Sequence, residues 1–111
     1  MPVIDKATFE DLKQMSGADF INELIDVFLD DAPNIIQNME TALAAKDVES
    51  FRRNAHSIKS NANTFGATEL AGLARELEFM AKDNNLDIEN RLEVLKEAFD
   101  KMADELRGMR V

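Results

Sequence analysis

A chain of 111 residues, 45% hydrophobic and 32% charged, can bury one core and stay in solution, but it is too short for two. It has no cysteine, which excludes disulfides, thiolate metal sites and cysteine nucleophiles. Its net charge of −9 opposes nucleic acid binding, which needs a basic face.

In chain order, the acidic start MPVIDKATFEDLKQ lacks the apolar run of a signal peptide. Asp5 is a candidate N-cap for a short helix marked by Phe9, Leu12 and Met15, which Ser16-Gly17 ends. From about Asp19 a longer helical pattern carries Phe20/Ile21, Leu24/Ile25, Phe28, Ala32, Ile35/Ile36, Met39 and Leu43. Pro33 falls inside it and predicts a kink or a split into two helices. Asp47 caps a third segment. Its apolar residues Val48, Phe51, Ala55, Ile58, Ala62 and Phe65 alternate steps of three and four, and Gly66 stands where a left-handed residue would end it. Leu70, Leu73/Ala74, Leu77 and Met80/Ala81 mark a fourth helix, which leads into polar Lys82-Asp83-Asn84-Asn85. A fifth starts from an Asp87 cap, with Ile88, Leu92, Leu95, Phe99, Met102, Leu106 and Met109 in one stripe.

No run of alternating β-branched residues suggests a strand. Short connections make neighbouring helices antiparallel. The expected fold is therefore all-α: an up-and-down antiparallel four-helix bundle with a short extra N-terminal helix, formed by residues 1–111 as one domain. No stretch of eighteen apolar residues predicts a membrane span. The expectation is a cytoplasmic domain without membrane contact, alone or as a piece of a longer protein. An acidic surface with few apolar positions predicts a monomer.

The usual catalytic constellations are missing. One histidine without cysteine excludes zinc sites and Cys/His dyads, and a di-iron bundle would need two Glu-x-x-His motifs. The four glycines are scattered, so there is no phosphate-binding loop and no Gly-x-Ser-x-Gly elbow. Asp83, Asn85 and Asp87 fit three positions of a calcium loop, but Ile88 replaces its glycine and Val94 its bidentate glutamate, so they read as a polar turn. Neither a cofactor nor a resident metal is expected.

His56 remains. It lies in an eighteen-residue window, Phe51 to Thr68, without Asp or Glu, where about four would fall by proportion. At about 100° per residue it points about 140° away from the centre of the apolar stripe, and so toward solvent. Arg52, Lys59 and Ser60 are its neighbours at i−4, i+3 and i+4; Asn63 lies one turn beyond, and Arg53 flanks the other side. Cations around an imidazole favour its neutral, nucleophilic form and would stabilise an anionic group attached to it. With no Asp or Glu in the window to orient the ring, the pattern suits a histidine that carries a phosphoryl group better than the base of a triad.

The segment Ala55-His56-Ser57-Ile58-Lys59, the small residues Ser60 to Ala62, and Phe65-Gly66-Ala67 followed by Leu70 and Leu73 resemble the signature of histidine-containing phosphotransfer (HPt) domains. Phe28 to Pro33 and Lys46 to Arg53 resemble the segments that precede it in the family, and the likeness spans nearly the whole chain. It implies a phosphorelay intermediate of two-component signalling, which takes a phosphoryl group from one receiver aspartate onto His56 and passes it to another. It also implies a phosphocarrier rather than an enzyme, on its own or within a hybrid histidine kinase. The partners implied are receiver domains of response regulators or hybrid sensor kinases, which supply the Mg²⁺ and the aspartate. Lys59 would neutralise the phosphoryl group. Ser60 stands where the family usually has glycine, to admit the receiver, and Asn61 and Asn63 stand where it often has serine. The phosphoacceptor domain of chemotaxis-type histidine kinases has a similar segment, and an adaptor with an inert His56 is the alternative from another class.

Overall fold

Side-chain caps start the first and third helices, and residues at positive φ end the first three. The computed structural model of the chain describes residues 4–110. Helix α1 spans Lys6–Ser16, and Asp5 caps it by accepting a hydrogen bond from the Ala7 N–H at 3.1 Å. Gly17, at φ +83°, ends α1 and turns the chain into α2, Ala18–Ala45. Helix α3 covers Val48–Phe65, with the Asp47 carboxylate accepting from the Ser50 N–H at 3.1 Å. Helix α4 covers Thr68–Lys82 and α5 covers Arg91–Met109. All elements among the described residues are helices, so the all-α expectation stands.

Two expectations need correcting. Of the kink or split expected at Pro33, the split does not occur: helix α2 runs through it for 28 residues. Proline removes one backbone donor there, yet Phe28 and Ala32 before it and Ile36 and Met39 after it are buried in the same core. That shared burial carries the helix across. The fifth helix starts at Arg91 after Asn90, not after Asp87. Ile88 is buried in phase with the stripe, but Glu89 adopts φ +55° and breaks the helical path ahead of Arg91. The Asp87 N–H is instead held by the Asn85 side chain at 3.0 Å, as in a polar turn.

The core is continuous. The stripe of α3 (Phe51, Ala55, Ile58, Ala62, Phe65) packs with the buried faces of α2, α4 and α5, and Phe28 lies 5.5 Å from Phe65 and 5.7 Å from Phe99 between ring centroids. In α1 only Phe9 is buried, and Met15 is 87% exposed rather than part of an apolar face. Helix α1 is tied to the α3–α4 connection. The Asp5 N–H donates to the Gly66 carbonyl at 2.8 Å, and a Cβ on Gly66 would lie 2.9 Å from Thr8 Cβ. Gly66, at φ +78°, ends α3 as expected. No helix of the described residues is long and apolar enough to cross a membrane.

Candidate functional site

The apolar stripe of α3 faces the core, so the opposite face must be solvated, and His56 stands on it with 56% of its side chain exposed. The ring is nevertheless held. Its Nδ1 lies 2.6 Å from Oε2 of Glu78, on α4. The other oxygen, Oε1, accepts from Lys59 Nζ at 2.5 Å. One carboxylate, only 16% exposed, thus binds the imidazole and the lysine one turn along from it.

The window around His56 holds no carboxylate, but Glu78 reaches the ring from the neighbouring helix. Burial on its own raises the carboxyl's pKa, but the hydrogen bonds from Lys59 and His56 outweigh that effect and hold it below the ordinary carboxylate value. A carboxylate kept ionised accepts the proton on Nδ1. In the neutral ring that favours the tautomer whose lone pair is on Nε2. The arrangement holds the ring by one nitrogen and brings Lys59 to the same carboxylate.

The other residues singled out from the sequence lie around this centre but do not all turn toward it. Arg52 reaches back along its own helix to Glu49, with Nη2 to Oε1 at 2.5 Å, which raises the pKa of its guanidinium through that hydrogen bond. Arg53, Ser60 and Asn63 are exposed on the outer face. The nearby hydroxyls are tied to their own helix: Ser57 Oγ donates to the Arg53 carbonyl at 3.2 Å and Thr64 Oγ1 to the Ser60 carbonyl at 3.0 Å.

Two grooves flank this face. The one between α2 and α3 is lined by Leu24, Val27, Asp31, Asn61 and Thr64. The one between α3 and α4 is lined by Lys59, Asn63, Thr68, Gly72 and Arg75. Another groove, of about 460 Å³, opens between α2 and α5 beside Pro33, Glu40 and Lys96, and none of the residues around His56 lines it.

The model of the Hpt domain family matches residues 23–108, a span that contains His56, Lys59 and Glu78. This chain belongs to the Hpt family. Among curated relatives, the phosphorelay protein LuxU of Vibrio cholerae is 27% identical over 99 residues, 85% of this chain and 88% of LuxU. The sensory/regulatory protein RpfC of Xanthomonas campestris is 31% identical over 91 residues, or 81% of this chain. This chain spans only 12% of the length of RpfC. Among solved structures, histidine-containing phosphotransfer protein B (HptB) of Pseudomonas aeruginosa superposes with a TM-score of 0.88 at 25% identity, covering 98% of this chain and 95% of that one. The Hpt assignment gives the chain a histidine phosphotransfer role in a phosphorelay, and the helical bundle with an added N-terminal helix is the fold it shares with HptB.

The sequence singled out His56 and Lys59 but not Glu78, which the structure places against both. The signal was available in the hairpin: His56 lies ten residues before Gly66 and Glu78 eleven after Ala67, so antiparallel pairing about that turn brings them level.

Proposed function

We propose that His56 is the phosphoacceptor of this Hpt domain, that Nε2 is its reacting atom, and that Glu78 and Lys59 position and neutralise it. The carrying observation is the 2.6 Å contact between Nδ1 and Glu78, which ties up one ring nitrogen of a side chain that is 56% exposed. The donor is an aspartyl phosphate on a receiver domain, which also brings the Mg²⁺. The Nε2 lone pair attacks phosphorus in line, the bond from phosphorus to the aspartyl oxygen breaks, and the aspartate leaves as carboxylate. The proton stays on Nδ1, where Glu78 balances the positive charge of the phosphorylated ring. Return of the group to a second receiver aspartate reverses these steps.

Such a transfer needs positioning and charge neutralisation more than covalent machinery. Lys59 supplies positive charge beside the acceptor nitrogen, and the small Ser60 leaves room for a receiver to close over the ring. Arg52, Arg53 and Asn63 act at the rim, where they meet the partner or the phosphoryl oxygens. The chain works as one monomeric domain of residues 1–111 on the cytoplasmic side, without an ATP site of its own.

Purified chain incubated with phosphoramidate tests this by intact mass. The expected result is a single phosphoryl addition that is acid-labile, alkali-stable and absent from His56→Gln. An acid-stable addition would move the acceptor to Ser57, Ser60 or Thr64. No addition, under conditions that modify another Hpt domain, would leave His56 inert.

A further inference from the structure

The outward ridge of α4 beside His56 carries Gly72, Arg75 and Phe79 at spacings of three and four, and the fold requires none of them. Gly72 sits inside a regular helix, where glycine is destabilising relative to alanine, and a Cβ built on it would meet nothing within 4 Å. No contact within this chain therefore explains the missing side chain. Arg75 has no carboxylate partner among the described residues; its guanidinium lies 5.3 Å from the centroid of the Phe79 ring. Phe79 is itself 52% exposed, one residue from Glu78 and so at the level of His56.

Gly72 and Arg75 border the groove of about 220 Å³ between α3 and α4, whose far wall is Lys59 and Asn63, and Phe79 stands one turn beyond Arg75 on the same ridge. Lys59, on the groove wall, shares the Glu78 carboxylate with His56. Of the carboxylates nearby, Glu78 is engaged by His56 and Lys59, Glu76 pairs with Arg91 at 2.5 Å, and Glu69 lies at the first turn of α4. In a chain of net charge −9, this strip is where an acidic partner meets positive charge next to the reacting nitrogen. An exposed aromatic next to a stacked arginine is also the residue pairing that anchors protein interfaces.

We infer that the Gly72–Arg75–Phe79 ridge and the groove beside it form a docking surface for an acidic segment of the receiver domain. Phe79 is its apolar anchor, Arg75 holds a carboxylate of the receiver, and Gly72 lets the receiver backbone lie close to α4. The inference rests on the reading of His56 as phosphoacceptor. It adds a side of approach and the residues that select the partner by charge.

The test compares two reactions of the full chain. One is phosphorylation of His56 by phosphoramidate, which needs no docking. The other is transfer from a phosphorylated receiver domain, chosen from a panel because it exchanges measurably with the wild type. For Arg75→Glu, Phe79→Ser and Gly72→Leu, kcat/KM with the receiver should fall about tenfold, while the phosphoramidate rate stays within about twofold. The Arg75→Glu loss should shrink at high salt, and a lysine-for-carboxylate change on the receiver should restore transfer to that variant. Unchanged receiver transfer in all three variants would overturn the inference. So would equal losses in both reactions, or losses that track only the self-association of the chain in sedimentation. Failure of the wild type with phosphoramidate and with every receiver tried would instead remove the phosphoacceptor reading beneath it.

Discussion

The two flanks of α3 do different work. Toward α2 the helix meets large apolar side chains: Phe28 against Phe65, then Ile36 and Met39, with Leu24, Val27 and Asp31 left at the groove above them. Toward α4 the buried side chains are smaller, with Ala71, Ala74 and Ala81 interleaved with Leu70 and Leu77. There a polar network of His56, Glu78 and Lys59 crosses the gap. Large side chains fix stability through area and close packing. Small ones let a neighbouring helix come near enough to deliver a short polar side chain. The difference suggests that stability and chemistry can be altered separately in this domain.

The largest expected effect tests the α2 flank. Phe28→Ala removes a ring that meets two others and should cost about 3–5 kcal/mol of stability in urea unfolding. The rate of phosphohistidine formation per folded molecule should stay close to wild type. A rate that falls with stability would dissolve the distinction between the flanks. On the α4 side, Glu78→Ala should slow that rate by about 10- to 100-fold, as loss of an orienting partner does elsewhere, whereas Asp31→Ala on the α2 side should change it less than about twofold. Glu78→Gln still accepts a hydrogen bond and should fall between them. Comparable losses for Asp31→Ala and Glu78→Ala would show that the carboxylate's position is immaterial.

The smallest effect concerns pH. The pKa of Glu78 is lowered from its ordinary value of 4.5, so its contribution to stability is fully present above 4.5 and is lost as pH falls through the lower folded value. Wild type should exceed Glu78→Gln by about 1 kcal/mol at pH 7, and the gap should close toward pH 3, read as urea midpoints. A gap that stays constant over that range would mean that Glu78 stabilises by packing alone.

Most of the bundle was legible because apolar periodicity and caps are local signals. The stripe of α3, the Asp5 and Asp47 caps and the Gly66 stop all stand where the sequence placed them. The failures came where a local signal met a non-local one. Ile88 keeps the phase of the α5 stripe although Glu89 leaves the helical path, so periodicity put the helix start too early. Pro33 is a strong local breaker, but burial on both sides of it decides the outcome. The site divides in the same way. His56 and Lys59 stood out within one helix, whereas Glu78 shares no local pattern with them and joins the site only through the pairing of α3 with α4. An acid-free window along the chain is not an acid-free volume around the ring.

Gly66 bears on how such a site can change over generations. The alignment of Glu78 with His56 is set at the turn, where Gly66 and Ala67 alone separate α3 from α4 and where Asp5 and Thr8 press against the glycine. One residue added at the start of α4, with the turn kept at two residues, would shift the residues after it by about 1.5 Å and about 100° around the axis, carrying Glu78 away from the imidazole with every side chain still encoded. The connection between α4 and α5 has no such duty. It is eight residues long and carries Ile88 into the core, but it does not set the level of Glu78 against His56.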